Sequence, residues 1–171
     1  MNAALKLNLA GLAAVGLLVA GCTSVTIKAT RDPHAVHRVE RLFVVINHGD
    51  LSHESYSQQL AASLASLLSN PPPVIEISVV SPLELDEKIH DRQLQQFKPD
   101  AVLVIRLTTA VVSEYGGYPT LQYDASLFDP KTERRLWRGS VNSSGGTALM
   151  QRRLRETAEV IVKQLRKDGF L

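Results

Sequence analysis

Two continuous apolar runs, Leu42–Ile46 and Ala101–Ile105, constrain the fold of this chain more than any other feature. Five apolar residues in a row are typical of a strand that is covered on both faces, as in the middle of an α/β sheet. Between the two runs lie a helical pattern over residues 52–69, an alternating strand over Val74–Val80 and a second helical pattern that reaches Phe97. This order predicts a β-α-β-α-β unit with parallel strands.

The rest of the chain predicts an antiparallel addition to that unit. Strands are expected over residues 121–128 and 134–142, joined by a turn at Asp129–Thr132, because Asp and Pro are favoured at the first two positions of a type I turn. A final helix is expected to begin with Thr147 as its cap. We therefore predict an α/β fold with a single mixed sheet: β-α-β-α-β, an antiparallel β meander and a C-terminal helix. An edge strand over Val25–Thr30 would complete the sheet.

The first 22 residues resemble a bacterial lipoprotein signal peptide. An uncharged apolar stretch runs from Leu9 to Ala20, Lys6 precedes it, and Leu18–Cys22 ends in Gly21 and the only cysteine of the chain. The resemblance implies cleavage between Gly21 and Cys22, a diacylglycerol on the Cys22 thiol and a further acyl chain, such as palmitate, on the new amino group.

Other interpretations of this segment explain less. A spanning helix needs about 20 apolar residues, which is more than this run supplies. An ordinary secretory signal would end in a small-x-small site, for which Val19–Gly21 is a poor match. A core helix with a buried cysteine would leave Lys6 and the polar residues after Cys22 unexplained.

The lipoprotein interpretation divides the chain into three parts. Residues 1–21 would be the signal peptide, residues 22–40 the lipidated N-terminus with a short tether, and residues 41–171 the periplasmic domain. In the lipoproteins that this segment resembles, an aspartate after the cysteine commonly marks retention in the inner membrane. Thr23 stands there instead, so we expect a lipid-anchored protein of the outer membrane that faces the periplasm.

Composition excludes several classes of function. Acidic and basic residues are interleaved and the net charge is only +2, whereas a nucleic-acid partner would require a basic stripe. Without another cysteine, the mature chain can form neither a disulfide nor a thiolate zinc site. The sequence has no phosphate-binding loop, no dinucleotide fingerprint and no glycine-flanked serine. We therefore expect a protein that is not an enzyme and needs no cofactor.

The chain from Arg41 to its end resembles two groups of small periplasmic lipoproteins. One group consists of TolB amino-terminal-like domains. The similarity lies in the hairpin Tyr123–Thr132, in Leu136–Gly139 after it, and in the final segment Leu165–Leu171. That group includes lipoprotein activators of penicillin-binding proteins and the curli-secretion lipoprotein. The Trp137-Arg138-Gly139 strand is also similar to that of uncharacterised small lipoproteins. Either resemblance implies an α/β binding or assembly module without catalytic residues.

Three residues after the first buried strand form a candidate metal site. His48, Asp50 and His53 supply nitrogen and oxygen ligands, and they follow the carboxyl end of a strand, where ligands bind in open α/β sheets. The alternative is that Asp50 or Ser52 caps the following helix and that the histidines are solvated.

Two other surfaces are candidates for binding a protein partner. Ser57 and Gln59 are expected on the outward face of the first helix, in a stretch without charge that costs little to desolvate. Tyr115 and Tyr118 flank two glycines in a loop, and tyrosine is common at contact sites. The alternatives are a plain solvated helix and a tight turn whose rings lie on the sheet.

These observations together predict a membrane-anchored, non-catalytic accessory of the cell envelope. It would bind an envelope protein or a second copy of itself in secretion, wall synthesis or outer-membrane biogenesis, and it would not bind nucleic acid. The alternative is a periplasmic carrier of a small ligand or a metal.

Overall fold

A computed structural model describes residues 23–35, 38–49, 54–69, 73–80, 89–114 and 120–171 of the chain. These residues form six strands and three α-helices, with a short 3-10 turn at Thr147–Leu149. The strands are β1 (Ser24–Arg31), β2 (Arg41–Asn47), β3 (Val74–Val80), β4 (Ala101–Val111), β5 (Thr120–Phe128) and β6 (Arg135–Ser144); the helices are α1 (Glu54–Leu68), α2 (Ile89–Phe97) and α3 (Met150–Lys167).

All six strands belong to one mixed sheet in the order β1-β6-β5-β4-β2-β3. Strand β2 lies between β3 and β4 and is parallel to both, while β4, β5, β6 and β1 pair antiparallel. The predicted α/β fold with a single mixed sheet, a meander and a C-terminal helix is thus confirmed. The apolar run of β2 is central because both of its edges are paired.

Helices α1 and α3 pack side by side on one face of the sheet. Helix α1 approaches β2 and β3, whereas α3 approaches β1 and β6. The buried residues of both helices face the inward residues of the sheet, because side chains of a strand alternate between faces while those of a helix recur every three or four residues. This core contains Leu42, Val44, Ile46, Leu60, Leu64, Leu68, Leu103, Ile105, Trp137, Leu154, Ile161 and Leu165.

Helix α2 covers only part of the other face. The Phe43 ring of β2 lies 6.1 Å from that of Phe97, and Ser78 Oγ of β3 is 2.8 Å from Nδ1 of His90. The chain passes from β2 to β3 on one side and from β3 back to β4 on the other, so right-handed crossovers place α1 and α2 on opposite faces. No described helix lies over β4, β5, β6 and β1 on the α2 side.

The first strand lies inside the segment that was predicted as a tether. Strand β1 pairs with β6 from Ser24↔Ser144 to Arg31↔Trp137, and Ala35 and Val39 are buried in the core. The described part of residues 22–40 is therefore folded onto the domain. The alternating residues of β1 explain this, because one set packs on the core while the other remains wet.

The structure agrees with the predicted turn after β5 and with the predicted end of the last helix, but it differs at the start of that helix. Asp129 Oδ1 accepts a 2.8 Å hydrogen bond from the Lys131 amide in the predicted turn. Gly169 adopts φ +81 and Phe170 folds back into the core, as expected for a left-handed helix end. Thr147, however, begins the 3-10 turn, and α3 starts after Leu149 without a side-chain cap. Among the described residues, no helix combines the length and apolar character needed to cross a membrane.

Candidate functional site

The open face of the sheet, formed by β4, β5 and β6 on the α2 side, contains a groove of about 320 Å³. Its lining alternates with the buried residues of the same strands, since every second side chain of a strand points to this face. The residues that line it are Val104, Arg106, Thr108, Asp124, Ser126, Phe128, Arg135 and Arg138.

Asp124 is fixed at the centre of this groove. Its Oδ2 accepts a 2.6 Å hydrogen bond from Nε of Arg138, and its Oδ1 accepts a 2.8 Å bond from the Ser126 hydroxyl. A second nitrogen of Arg138 completes the ion pair. Both carboxylate oxygens thus accept hydrogen bonds, and Asp124 positions Arg138.

Two further arginines leave the groove positively charged. Arg106 stands opposite Asp124 in the β4–β5 register and has no ion-pair partner among the described residues. The Arg135 guanidinium lies 5.5 Å from the centroid of the Phe128 ring, which holds the arginine against the sheet. With three arginines and one aspartate, the groove has a net positive charge and is suited to carboxylates and other anionic groups. Guanidinium groups bind such anions through paired N–H donors.

Sequence reasoning missed this site although a signal exists. The polar residues Gln122 and Asp124 alternate with buried ones, and so do Arg138, Ser140 and Asn142. That period of two predicts a wet face on both strands. Only the sheet order reveals that the two wet faces are neighbours and lie next to Arg106.

His48 is the one residue of the predicted metal site that the structure describes. This residue follows β2, is 3% exposed and has both ring nitrogens engaged, with Nδ1 2.8 Å from Ser57 Oγ and Nε2 3.3 Å from the Tyr123 hydroxyl. Asp50 and His53 lie outside the described residues. Within the part of the chain that the structure describes, no group of three or more His, Cys, Asp or Glu side chains could hold a metal.

Burial keeps this histidine neutral. It lowers the pKa of His48 to about 4, and it raises the pKa of the Tyr123 phenol above its usual value. A neutral imidazole has one donor and one acceptor nitrogen, and the two hydroxyls can satisfy both. We interpret His48, Ser57 and Tyr123 as a polar cluster inside the core, closed to solvent.

Ser57 is therefore not on the outward face of α1, as the sequence analysis predicted. It is 3% exposed and shares its side of the helix with Leu60, Leu64 and Leu68, which follow at intervals of three and four residues. The prediction was wrong because a serine among polar residues was assigned to the surface, although His48 supplies a buried partner for its hydroxyl.

Gln59 lies at a second groove, between α1 and α3. This space of about 440 Å³ is lined by Gln59, Ala62, Ser63, Gln151, Arg152 and Arg155. The Oε1 of Gln59 is buried and has no hydrogen-bond partner among the described residues. Tyr115 and Tyr118, the other predicted contact residues, lie outside the described residues.

A buried arginine ties α3 to the end of β6, which sequence reasoning also missed. Arg153 donates to Ser143 Oγ at 3.2 Å, to the Ser143 carbonyl at 2.7 Å and to the Gly145 carbonyl at 3.1 Å. Its side chain is fully buried. The helical spacing Met150, Arg153, Leu154, Thr157 was the available signal, since it places Arg153 on the inward stripe.

The chain is similar to several solved structures. The PelC dodecamer from Paraburkholderia phytofirmans is 12% identical with a TM-score of 0.51, over 78% of this chain and 95% of that one. Lipoprotein GNA1162 from Neisseria meningitidis is 19% identical with a TM-score of 0.42, over 75% of this chain and 99% of that one. The likeness to PelC shows a shared fold. No protein-family model and no curated protein matches the sequence, so the TolB-like resemblance gains no support from them.

Proposed function

We propose that this protein is a lipid-anchored, non-catalytic accessory of the cell envelope that binds a protein partner through the open face of its sheet. The observation that carries the proposal is the uncovered, arginine-lined groove on β4, β5 and β6. The antiparallel strands of this half pack one face on the core and leave the other face wet and charged, so that face is free to contact another molecule.

The N-terminus supports attachment close to a membrane. Thr23 donates to Glu156 Oε1 at 3.2 Å, and β1 begins at Ser24. A lipid on Cys22 would therefore join the folded sheet almost directly. A partner of this domain would be met at the bilayer surface, which in this proposal is the periplasmic side of the outer membrane.

The absence of catalysis in this proposal is supported by the polar side chains themselves. The arrangement most similar to a catalytic one is His48 with Ser57 and Tyr123, and all three are buried to 3% exposure or less. A substrate could not reach the Ser57 hydroxyl without opening the core. In the groove, Asp124 is already paired with Arg138 and Ser126.

A second copy of this chain is the first candidate partner. PelC, which shares the fold, forms a dodecamer, and the groove favours a surface that carries carboxylates. Another envelope protein is the alternative partner, in line with the envelope complexes that the sequence resemblance implies. In both cases Arg106 and Arg135 would contact the partner.

A carrier of a small anionic ligand is the second candidate function. The groove volume of about 320 Å³ falls at the lower end of the range of about 300–1,000 Å³ typical of small-molecule sites, and three guanidinium groups point to a carboxylate or phosphate. The exposed half of the lining, which consists of Arg106, Thr108, Arg135 and Arg138, favours the protein partner over this alternative.

In-cell photocrosslinking tests the proposal. A photoreactive amino acid replaces Ser140, which is exposed on the open face, or Lys163, which is exposed on α3 as a control. We expect an adduct from residue 140 and none from residue 163, with twice the protomer mass if the partner is a second copy.

A charge reversal in the groove tests whether the crosslinked adduct depends on the groove. Arg106→Glu should abolish crosslinking from residue 140, whereas the matched reversal Lys163→Glu should leave it unchanged. No adduct from residue 140, or an adduct that survives Arg106→Glu, would contradict binding through the open face. Loss of the adduct in competition with free citrate or phosphate would favour the small-ligand carrier instead.

A further inference from the structure

We propose that Val111 and Val112, at the end of β4, form a second contact with the lipid bilayer beside the anchor on Cys22. This inference rests on the lipid anchor of the proposed function, and it assigns a membrane-facing surface to the folded domain. The two valines are 48% and 60% exposed and are adjacent in the chain.

The sheet register places these valines at the level of the N-terminus. Ser24 of β1 pairs with Ser144 of β6, and Ser144 pairs with Thr120 of β5. Thr120 in turn pairs with Val111 of β4. The four residues form one row across four neighbouring strands, so Val111 and the start of β1 lie at the same end of the sheet.

Strand geometry gives the distances along and across this row. Three inter-strand steps of about 4.8 Å separate Ser24 from Val111 by about 14 Å. Cys22 precedes Ser24 by two residues, and two residues of chain span at most about 7 Å between Cα atoms. Val112 is one residue past the row on the same side. When the strands are perpendicular to the membrane surface, Val112 therefore contacts the bilayer that holds the acyl chains of Cys22.

Val74 provides an internal comparison, since it is the other large hydrophobic residue that is exposed among the described residues. Val74 is 53% exposed, but it pairs with Arg41 at the start of β2, beside the first residues of β4. The length of β4 places it about 30 Å from the Val111 row. Single exposed valines are ordinary on protein surfaces, whereas Val111 and Val112 form an adjacent pair at the anchored end.

The chemistry of this tip limits how deep it could lie. Glu114 follows two residues after Val112 and is exposed. A carboxylate does not enter hydrocarbon, whereas partly buried apolar side chains are stable at the boundary between headgroups and acyl chains. We therefore place the valines at headgroup depth, where they hold the sheet upright and turn the open face sideways along the membrane.

A single fluorophore tests this orientation in the full, lipidated chain. Since Cys22 carries the lipid, Val112→Cys introduces the only free thiol, and Val74→Cys is a control matched in residue type and exposure. Each variant is labelled with an environment-sensitive dye and placed in vesicles of phosphatidylethanolamine and phosphatidylglycerol that contain spin-labelled lipids. We expect a blue-shifted emission and several-fold stronger quenching at residue 112 than at residue 74.

Other results overturn the inference in distinguishable ways. Equal quenching at the two positions would show that the tip does not touch lipid. A blue-shifted label at residue 112 that lipid-borne quenchers do not reach would show that protein covers the tip. Vesicle flotation of the same samples tests the lipid anchor separately. A chain that does not float with the vesicles would disprove the anchor of the proposed function. The second contact, which depends on that anchor, would then be disproved as well.

Discussion

The ring of Trp137 occupies the space that a side chain at residue 139 would need. A Cβ built on Gly139 would lie 2.5 Å from Cη2 of Trp137 and 3.0 Å from Cδ1 of Ile27. Residues 137 and 139 share a face of β6, because side chains two apart in a strand point the same way. The Trp-Arg-Gly sequence is thus explained by packing, because the indole occupies the space beside a glycine and its Nε1 reaches Asp168 after the end of α3.

Replacing this glycine should destabilise the domain. Gly139→Ala forces the indole or Ile27 to move, and such overpacking costs about 1–3 kcal/mol. The control is Gly146→Ala, since a Cβ there meets nothing within 4 Å and its φ of −67 suits any residue. Urea unfolding of chains that begin at Thr23 measures the difference. Equal stabilities of the two variants would contradict the packing explanation.

The polar edge of the same indole gives a second prediction. Trp137 Nε1 donates a 2.7 Å hydrogen bond to Asp168 Oδ2, just after the end of α3. Asp168→Ala leaves a buried donor without an acceptor, which costs about 1–3 kcal/mol, whereas Asp168→Asn keeps an acceptor oxygen and should cost less. The fluorescence of Trp137, the only tryptophan of the chain, reports both unfolding and the local change. An alanine variant as stable as the asparagine variant would show that this bond does not stabilise the domain.

The buried histidine predicts how stability depends on pH. His48 has a pKa of about 4 in the folded protein, compared with about 6.5 in the unfolded chain. Below pH 6.5 the unfolded state therefore binds a proton that the folded state excludes. Stability should fall as the pH drops from 6.5 towards 4, by up to about 3 kcal/mol.

His48→Gln provides the matching control for that prediction. Glutamine retains a donor and an acceptor for Ser57 and Tyr123 but does not titrate in this range. Its free energy of unfolding should change less between pH 7 and pH 5 than that of the parent chain. Parallel pH profiles for the two proteins would show that His48 is not the group responsible.

The periodicity of the sequence was sufficient to predict the elements of the fold. The runs Leu42–Ile46 and Ala101–Ile105 became neighbouring parallel strands, and the amphipathic spacing of α3 placed Leu154, Ile161 and Leu165 in the core. These features follow from local patterns, since burial of one stripe or one face is encoded in the spacing of apolar residues.

The candidate sites were harder to predict because they depend on contacts between distant segments. Ser57 and Arg153 are polar residues on buried stripes, and only the positions of His48, Ser143 and Gly145 reveal their partners. The open face required knowing that α1 and α3 share one side of the sheet, which leaves Asp124, Arg106 and Arg138 without a helix above them.

The intact mass of the protein extracted from bacterial membranes tests the central claim most directly. An accessory anchored at the edge of its sheet predicts a chain of residues 22–171 with a diacylglycerol and an added acyl chain on Cys22. The same measurement on Cys22→Ser should find a protein that lacks both the diacylglycerol and the added acyl chain. A native chain that begins at Met1 and carries no lipid would contradict the account.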